Sequence, residues 1–474
     1  MLRKCAGVVC RSAGRSLTSR QSLACLSART ISSGTPGHNS PHGATASAEA
    51  DGRPYLANLK TRGLYNEHLV KHVQSYKIQE LKVLEQGKYV DITWSDGHQS
   101  RFHALWLRHN CHCEDCKLDH NGMLTINFND IDEGLRVTSV RMEGDDVAIF
   151  RWSGETGEKE HEGPIPTYWL RHYCYSEEAE SQRREQRTMK FYKEKTVPEV
   201  EYAEVMESDQ GLYKWLVQLS ERGICLVKNV PTQEGMVAKM AEKIAPLQHT
   251  IYGETFDVVS TPQPINAAYS PVRLDLHMDQ PHYESPPGLQ MLHCIEFDPN
   301  VVGGDNTFAD LQEIAHQFRE ERPDLFDVLA RVPISMQTVH YDRAYPVHIR
   351  TKRPIFTLND REELVGVIWH PMLVGPLQAD QADIEPFYKA YKYFFNMVNA
   401  EADLYKLRMV AGDLISFNNR RVLHGRAAYS NQTGRRFLQG TYVEISEFQS
   451  LVQVFHNKYG DGRLAMRPGS FSWD

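Results

Sequence analysis

Two sets of residues have types and spacings that could do metal chemistry. The first is His277-Met278-Asp279. In an extended segment residues i and i+2 point the same way, so one strand end can offer an imidazole and a carboxylate to one ion. A distant histidine on a neighbouring strand would complete the two-His, one-carboxylate set of non-haem Fe(II) oxygenase sites, which leaves coordination positions open. Taken alone the pair is a weak signal. With 21 His and 61 acids in the chain, roughly three His-x-acid pairs arise by chance. Four occur, at His112-x-Glu114, His277-x-Asp279, His282-x-Glu284 and His340-x-Asp342. Context favours the second. The run from Gly412 to His424-Gly-Arg reads as a turn and two short strands that deliver His424, and Arg436 stands twelve residues further on. An arginine can clamp a carboxylate bidentately, as the far end of a 2-oxoacid cosubstrate requires. For any one of these residues the plainer explanation is a satisfied polar group in a barrel core. Their agreement in order and spacing is what argues for a site.

The second set is Cys111-His-Cys113-Glu-Asp-Cys116. Three thiolates this close can reach one ion, and a tetrahedral structural zinc needs one more ligand. His98, His109, His112, His120, His161, His172 and Cys174 are all candidates. An internal echo narrows them. Val90–Trp94 is followed by Trp106-Leu-Arg-His-Asn-Cys111, and Val147–Trp152 by Trp169-Leu-Arg-His-Tyr-Cys174. His98 precedes its tryptophan by eight residues, as His161 does. His161 is preferred, because it would tie the two copies together. Four protein ligands would close the site and make it structural.

These residues need elements to hold them. The chain has 474 residues, 41% hydrophobic and 24% charged, ample for a core and too apolar for a largely disordered chain. No stretch approaches 18 consecutive apolar residues, so no membrane partner is expected. Residues 1–48 hold six bases and no acid, the composition of a mitochondrial transit peptide, which points to the mitochondrial matrix. Without them, 47 bases face 61 acids, and the remaining −14 argues against nucleic acid as a partner. Residues 49–75 read as a linker. Residues 76–180 read as a small β-rich amino-terminal domain. A charged connector follows, and a larger domain occupies about 197–465. There, Leu212, Trp215, Leu216 and Leu219 have helical spacing, Met236, Met240 and Ile244 mark a second helix, and Ile384, Phe387, Tyr388, Tyr391 and Phe394 share one face of a long one. Strands are expected at Gly223–Lys228, Leu414–Phe417 and Phe437–Ile445. The fold class is mainly β with flanking helices (α+β), with a jelly-roll, or double-stranded β-helix, catalytic domain.

At this point the sequence resembles the γ-butyrobetaine/trimethyllysine dioxygenases, Fe(II)- and 2-oxoglutarate-dependent hydroxylases of carnitine synthesis. The likeness spans about residues 80–450. It rests on His277-Met-Asp279 through Pro286-Pro-Gly-Leu-Gln-Met-Leu-His-Cys294, on Gly303-Gly-Asp305, and on Asn419-Arg-Arg-Val-Leu-His424-Gly-Arg. The resemblance implies iron on His277, Asp279 and His424, and 2-oxoglutarate on Arg436. It implies structural zinc on Cys111, Cys113, Cys116 and His161, and ascorbate as reductant. It also implies a trimethylammonium substrate, which cannot hydrogen-bond and is held by cation–π attraction in an aromatic cage. The positions matching that cage are Tyr252, Phe256, Tyr269 and Tyr442, with Phe256 where the family usually has Trp. Asn266 suits a substrate carboxylate and resembles the butyrobetaine branch; the trimethyllysine branch tends to have Asp. His370-Pro371 replaces a family Asn-Asn pair that helps bind substrate, and the basic leader resembles the trimethyllysine branch. The expected reaction is hydroxylation of γ-butyrobetaine to L-carnitine with O2, releasing succinate and CO2, in a homodimer. The alternatives are trimethyllysine or another betaine-like amine as substrate, or a catalytically silent zinc-binding scaffold.

Overall fold

The computed structural model describes residues 54–73, 77–154, 160–259, 270–342, 345–400, 404–430 and 434–472. The basic leader, Asn266 and Tyr269 lie outside the described residues.

The stretch read as a linker contains two short helices, Pro54–Thr61 and Glu67–Val73. Leu56 and Leu59 are buried against Val147 and Ile149. Two leucines at i, i+3 in a polar background are too faint a signal to read from sequence.

Beyond them stand two three-stranded antiparallel sheets. One contains Ile78–Leu84, Tyr89–Trp94 and Gln99–His103; the other contains Arg136–Glu143, Val147–Ser153 and His161–Pro166. Each runs into a short helix, Ala104–His109 or Thr167–His172, built on the repeated Trp-Leu-Arg-His. Trp94, Phe102, Phe150 and Trp152 are fully buried in one core that both sheets share.

The larger part is built on two sheets. The six-stranded sheet runs in the order Glu199–Glu201, Ile224–Lys228, Leu414–Asn418, Leu289–Phe297, Arg436–Val443, Thr255–Val258. The four-stranded sheet runs Leu274–His277, Val422–Arg426, Asn306–Asp310, Tyr405–Leu407. Side chains alternate across a strand, and the alternation sorts two cores. Ile224, Leu226, Ile415 and Phe417 meet Phe308, Tyr405 and Val422 of the other sheet. Cys225, Val227 and Leu414 face the opposite way, toward Leu212, Trp215, Leu216 and Leu219 of the helix Asp209–Arg222. Burial on both faces explains why these strands read as continuous apolar runs. Trp215 Nε1 donates to Ser416 Oγ at 2.9 Å, so the buried hydroxyl on that strand's outer face is satisfied.

Helices Leu311–Glu321, Pro323–Arg331 and Gln381–Val398 cover the other side around Trp369 and Phe356. In the long helix Phe387 and Phe394 are buried, but Tyr388 is 56% exposed and lies off the expected face. The strand expected to reach Ile445 stops at Val443. Glu444 accepts from the Ser446 and Glu447 amides and starts the helix Ile445–Tyr459, an N-cap that outweighs the β-branched residues around it.

Candidate metal centres

The strand Leu274–His277 pairs antiparallel with Val422–Arg426, and His277 stands directly opposite His424. Directly opposed residues on one sheet face are close neighbours, and the two ring centroids are 4.3 Å apart. Asp279 follows where the strand has ended. Gln280 then adopts φ 54°, a left-handed conformation that non-glycine residues rarely take, and the chain turns immediately after the carboxylate. His277 Nε2 is 3.4 Å from Asp279 Oδ1, and His424 Nε2 is 3.9 Å from the same oxygen. One ligand atom from each of the three residues fits within 4.8 Å of the others.

The surroundings orient and tune these groups. His277 Nδ1 donates to the Asp275 carbonyl at 2.6 Å, which turns Nε2 toward the centre as the nitrogen that ligation would use. Burial, then the neighbouring His277, pushes His424 down to about 3, which leaves a neutral imidazole at pH 7. For Asp279 burial alone would raise the carboxyl, but His424, His277 and the Tyr442 hydroxyl together hold it below the ordinary carboxylate range. Asp279 is clamped at both ends. Tyr442 donates to Oδ2 at 2.7 Å, while Asn419 accepts from the Asp279 amide at 2.7 Å and donates to its carbonyl at 3.0 Å. Two imidazoles and one carboxylate with converging ligand atoms fit Fe(II) with open positions.

The turn that presents His424 is held by a buried ion pair. Arg421 donates to Asp310 Oδ2 from Nε at 3.0 Å and from Nη2 at 2.8 Å. Removing one partner of such a pair costs about 3–5 kcal/mol.

Arg436 is buried at the head of its strand and donates to Asn306 Oδ1 at 3.1 Å. Its Nε has no hydrogen-bond partner, and no described carboxylate pairs with it. Burial, then Arg426, lowers its pKa to about 10, still a cation at neutral pH. A buried guanidinium held against the Phe297 and Tyr429 rings fits an incoming carboxylate. Its neighbour Arg435 is exposed and already paired with Glu296 at 2.9 Å.

Of the expected cage, Tyr252, Phe256 and Tyr442 form a continuous aromatic wall. Phe256 stacks on Tyr442 at 5.1 Å and lies 6.3 Å from Tyr252. Gly440 makes this possible, since a Cβ there would sit 2.4 Å from the Phe256 ring. The Tyr442 hydroxyl is committed to Asp279, so this residue positions the carboxylate as well as lining the wall. That role was not legible in sequence, nor was Asn419's, although both lie inside motifs that were. His370 packs 4.8 Å from His277, and burial and then His277 hold it well below the ordinary imidazole range.

At the second centre, His161 Nε2 lies 3.4, 3.5 and 3.7 Å from the sulfurs of Cys111, Cys113 and Cys116. Tetrahedral zinc with Zn–S of about 2.3 Å and Zn–N of about 2.0 Å places S and N about 3.5 Å apart. Arg108 Nη1 donates to Cys116 Sγ at 3.1 Å, a positive charge that would offset the excess negative charge of three thiolates on a bound cation. Gly163 opens the space, because a Cβ there would meet Cys111 Sγ at 2.1 Å.

The comparison with known proteins decides the family. A family model described as "Taurine catabolism dioxygenase TauD, TfdA family" matches residues 184–442, more than half of the chain. The chain belongs to the TauD/TfdA dioxygenases. A second model, "Gamma-butyrobetaine hydroxylase-like, N-terminal", matches residues 81–161. Among relatives of this family, a γ-butyrobetaine dioxygenase of Pseudomonas sp. (strain AK-1) is 31% identical over 77% of this chain and 93% of its own length. The γ-butyrobetaine dioxygenase of Homo sapiens is 27% identical over 81% and 99%. A trimethyllysine dioxygenase of Meyerozyma guilliermondii is 25% identical over 79% and 96%. The chain is a 2-oxoglutarate-dependent dioxygenase, with iron and 2-oxoglutarate as the family's requirements. Among the described residues no helix is long and apolar enough to cross a membrane.

Proposed function

We propose that this dioxygenase hydroxylates a trimethylammonium carboxylate, γ-butyrobetaine in the first place, to give L-carnitine with release of succinate and CO2. The observation that carries the reading is the juxtaposition of the Tyr252–Phe256–Tyr442 wall with the Asp279 carboxylate, through the Tyr442 hydroxyl. His277, Asp279 and His424 would hold Fe(II), which when bound supplies the activation of O2. Arg436 would bind the distal carboxylate of 2-oxoglutarate. The Tyr442 hydroxyl, with His424 and His277, keeps Asp279 ionised, and Asn419 holds its backbone. The aromatic wall would receive the ammonium group by cation–π attraction, and Asn266 and Tyr269 would complete the pocket. Two anchored ends would present one methylene to the metal, the orientation on which selective attack depends.

The two sheets form the jelly roll of this reading. Cys111, Cys113, Cys116 and His161 would hold a structural zinc, leaving no position for substrate. The basic leader would direct the chain to the mitochondrial matrix, where ascorbate would keep the iron reduced, and the chain would act as a homodimer. Trimethyllysine is the second substrate reading. It is favoured by the leader and by the trimethyllysine dioxygenases among the relatives, and His370-Pro371 departs from the Asn-Asn pair with which the family helps bind substrate.

Succinate release with Fe(II), ascorbate and 2-oxoglutarate tests this directly. Stimulation by γ-butyrobetaine above both trimethyllysine and no substrate is expected. Stimulation by trimethyllysine alone would transfer the chain to the other branch. A response to neither, above a His277-dependent background, would exclude both substrates.

A further inference from the structure

The two halves of the amino-terminal unit agree beyond their shared motif. His98 and His161, Trp106 and Trp169, and Cys111 and Cys174 are each 63 residues apart. In both sheets the first two strands shift register at the same place, between Ile78 and Glu80 opposite Trp94 and Thr93, and between Val137 and Ser139 opposite Trp152 and Arg151. Ser100 lies across from Ile92 as Gly163 lies across from Phe150. The Asn110 amide donates to Trp106 O at 3.1 Å, and the Tyr173 amide to Trp169 O at 2.9 Å. The Lys117 amide donates to Cys113 O at 3.1 Å, and the Glu180 amide to Ser176 O at 3.0 Å. These last bonds show that the helical turn carrying Cys113 and Cys116 has its counterpart in the turn carrying Ser176 and Ala179.

The metal pocket uses three cysteines from the first half, Cys111 among them, and a histidine from the second. The same exchange in the opposite sense pairs His98 with Cys174. Their Nε2 and Sγ atoms are 3.4 Å apart, the same separation as His161 and Cys111. We infer that the amino-terminal unit carries a second, pseudo-symmetric pocket for a tetrahedral thiophilic cation, reduced to His98 and Cys174 by Ser176 and Ala179 at the two remaining ligand positions and narrowed by Ser100, which accepts from Trp94 Nε1 at 2.8 Å where the first pocket has Gly163. The inference rests on the zinc reading of the first pocket.

The charges around the second pocket fit two ligands. Arg108, which donates to the Cys116 sulfur, corresponds to Arg171, which pairs instead with Asp96 at 3.1 Å. His98 Nδ1 meets Glu178 Oε2 at 3.1 Å, and the Cys174 thiol donates to Ser176 Oγ at 3.4 Å. A hydrogen-bonded chain thus satisfies the groups that a metal would otherwise bridge. Cys174 is 1% exposed, which suits a structural role and rules out a freely accessible nucleophile.

The test is metal content of the full-length chain and of the Ser100→Gly/Ser176→Cys/Ala179→Cys variant, with Co(II) substitution to report thiolate coordination. The variant is expected to bind one more zinc per chain than the parent, with a doubled thiolate-to-cobalt absorption, and adding His98→Ala and Cys174→Ala together, which leaves two ligands, should remove the increment. The parent's own zinc content tests the first pocket, whereas the increment tests the second, so the two can fail separately. A folded variant with no increment overturns the inference. If the variant is soluble only when zinc is supplied, that dependence supports it. If it is insoluble in either condition, Ser100→Gly/Ser176→Cys decides, since three ligands should take cobalt with an open position and no added absorption would overturn the inference.

Discussion

The two metal centres solve one problem in different ways. The zinc-type pocket draws three ligands from six consecutive residues and a fourth from a strand of the second sheet. The iron-type centre draws two ligands from one strand end and the third from a strand 145 residues further along the sequence. The first offers four ligands, which would close it around a metal, and has beside them the Gly163 gap and the Arg108 charge that would help hold one. The second stops at three, and its supporting groups hold one ligand still while leaving space in front of it. Tyr442 and Asn419 grip Asp279 from behind and from the backbone, and 21% of the Asp279 side chain stays accessible. Ligand number separates a staple from a reactive site. Which atoms the neighbours satisfy separates them just as clearly.

That contrast can be broken most severely at the iron ligands. His277→Ala should reduce succinate formation by more than about three orders of magnitude, since the metal contributes several kcal/mol, while zinc content stays unchanged. Retained turnover would remove the three-ligand assignment. Arg436→Ala should raise the 2-oxoglutarate KM by about 30-fold or more, the cost of roughly 2 kcal/mol or above for losing one partner of a buried charged pair. An unchanged KM would move the clamp to another base. Tyr442→Phe sharpens the comparison, because it keeps the aromatic face and deletes the hydroxyl. Loss of such an outer partner typically costs about 10–100-fold in metal affinity or activity. If Tyr442 served only as cage wall, iron binding would not change. Gly163→Ala should release zinc and lower stability by about 1–3 kcal/mol through overpacking, as read by calorimetry, with iron affinity at the other centre unaltered.

What sequence could reveal follows from how each feature is encoded. Ligands at i, i+2 or in a six-residue cluster are local, so His277, Asp279 and the three cysteines were legible as motifs. His161 became legible through the duplication, which converts a long-range contact into a spacing. The strands around Leu414 and the helix around Trp215 showed in their apolar periodicity. Long-range hydrogen bonds carry no such pattern. Nothing local announces that Tyr442 reaches Asp279 or that Asn419 holds its backbone. The helix Ile445–Tyr459 was hidden because Ile445 continues the strand pattern of Phe437–Val443, and only the Glu444 side chain caps it. The helix Pro54–Thr61 was hidden by its polarity, although Leu59 is fully buried.

The most direct test of an open iron centre beside a closed zinc centre is anaerobic absorption spectroscopy of the Fe(II)-loaded chain as 2-oxoglutarate is added. The account predicts a visible charge-transfer band from 2-oxoacid chelation. The band should be lost in Asp279→Ala, shifted to much higher 2-oxoglutarate concentration in Arg436→Ala, and kept in Gly163→Ala. A chain that binds iron without developing the band, or whose band disappears with Gly163→Ala and persists with Asp279→Ala, would contradict it.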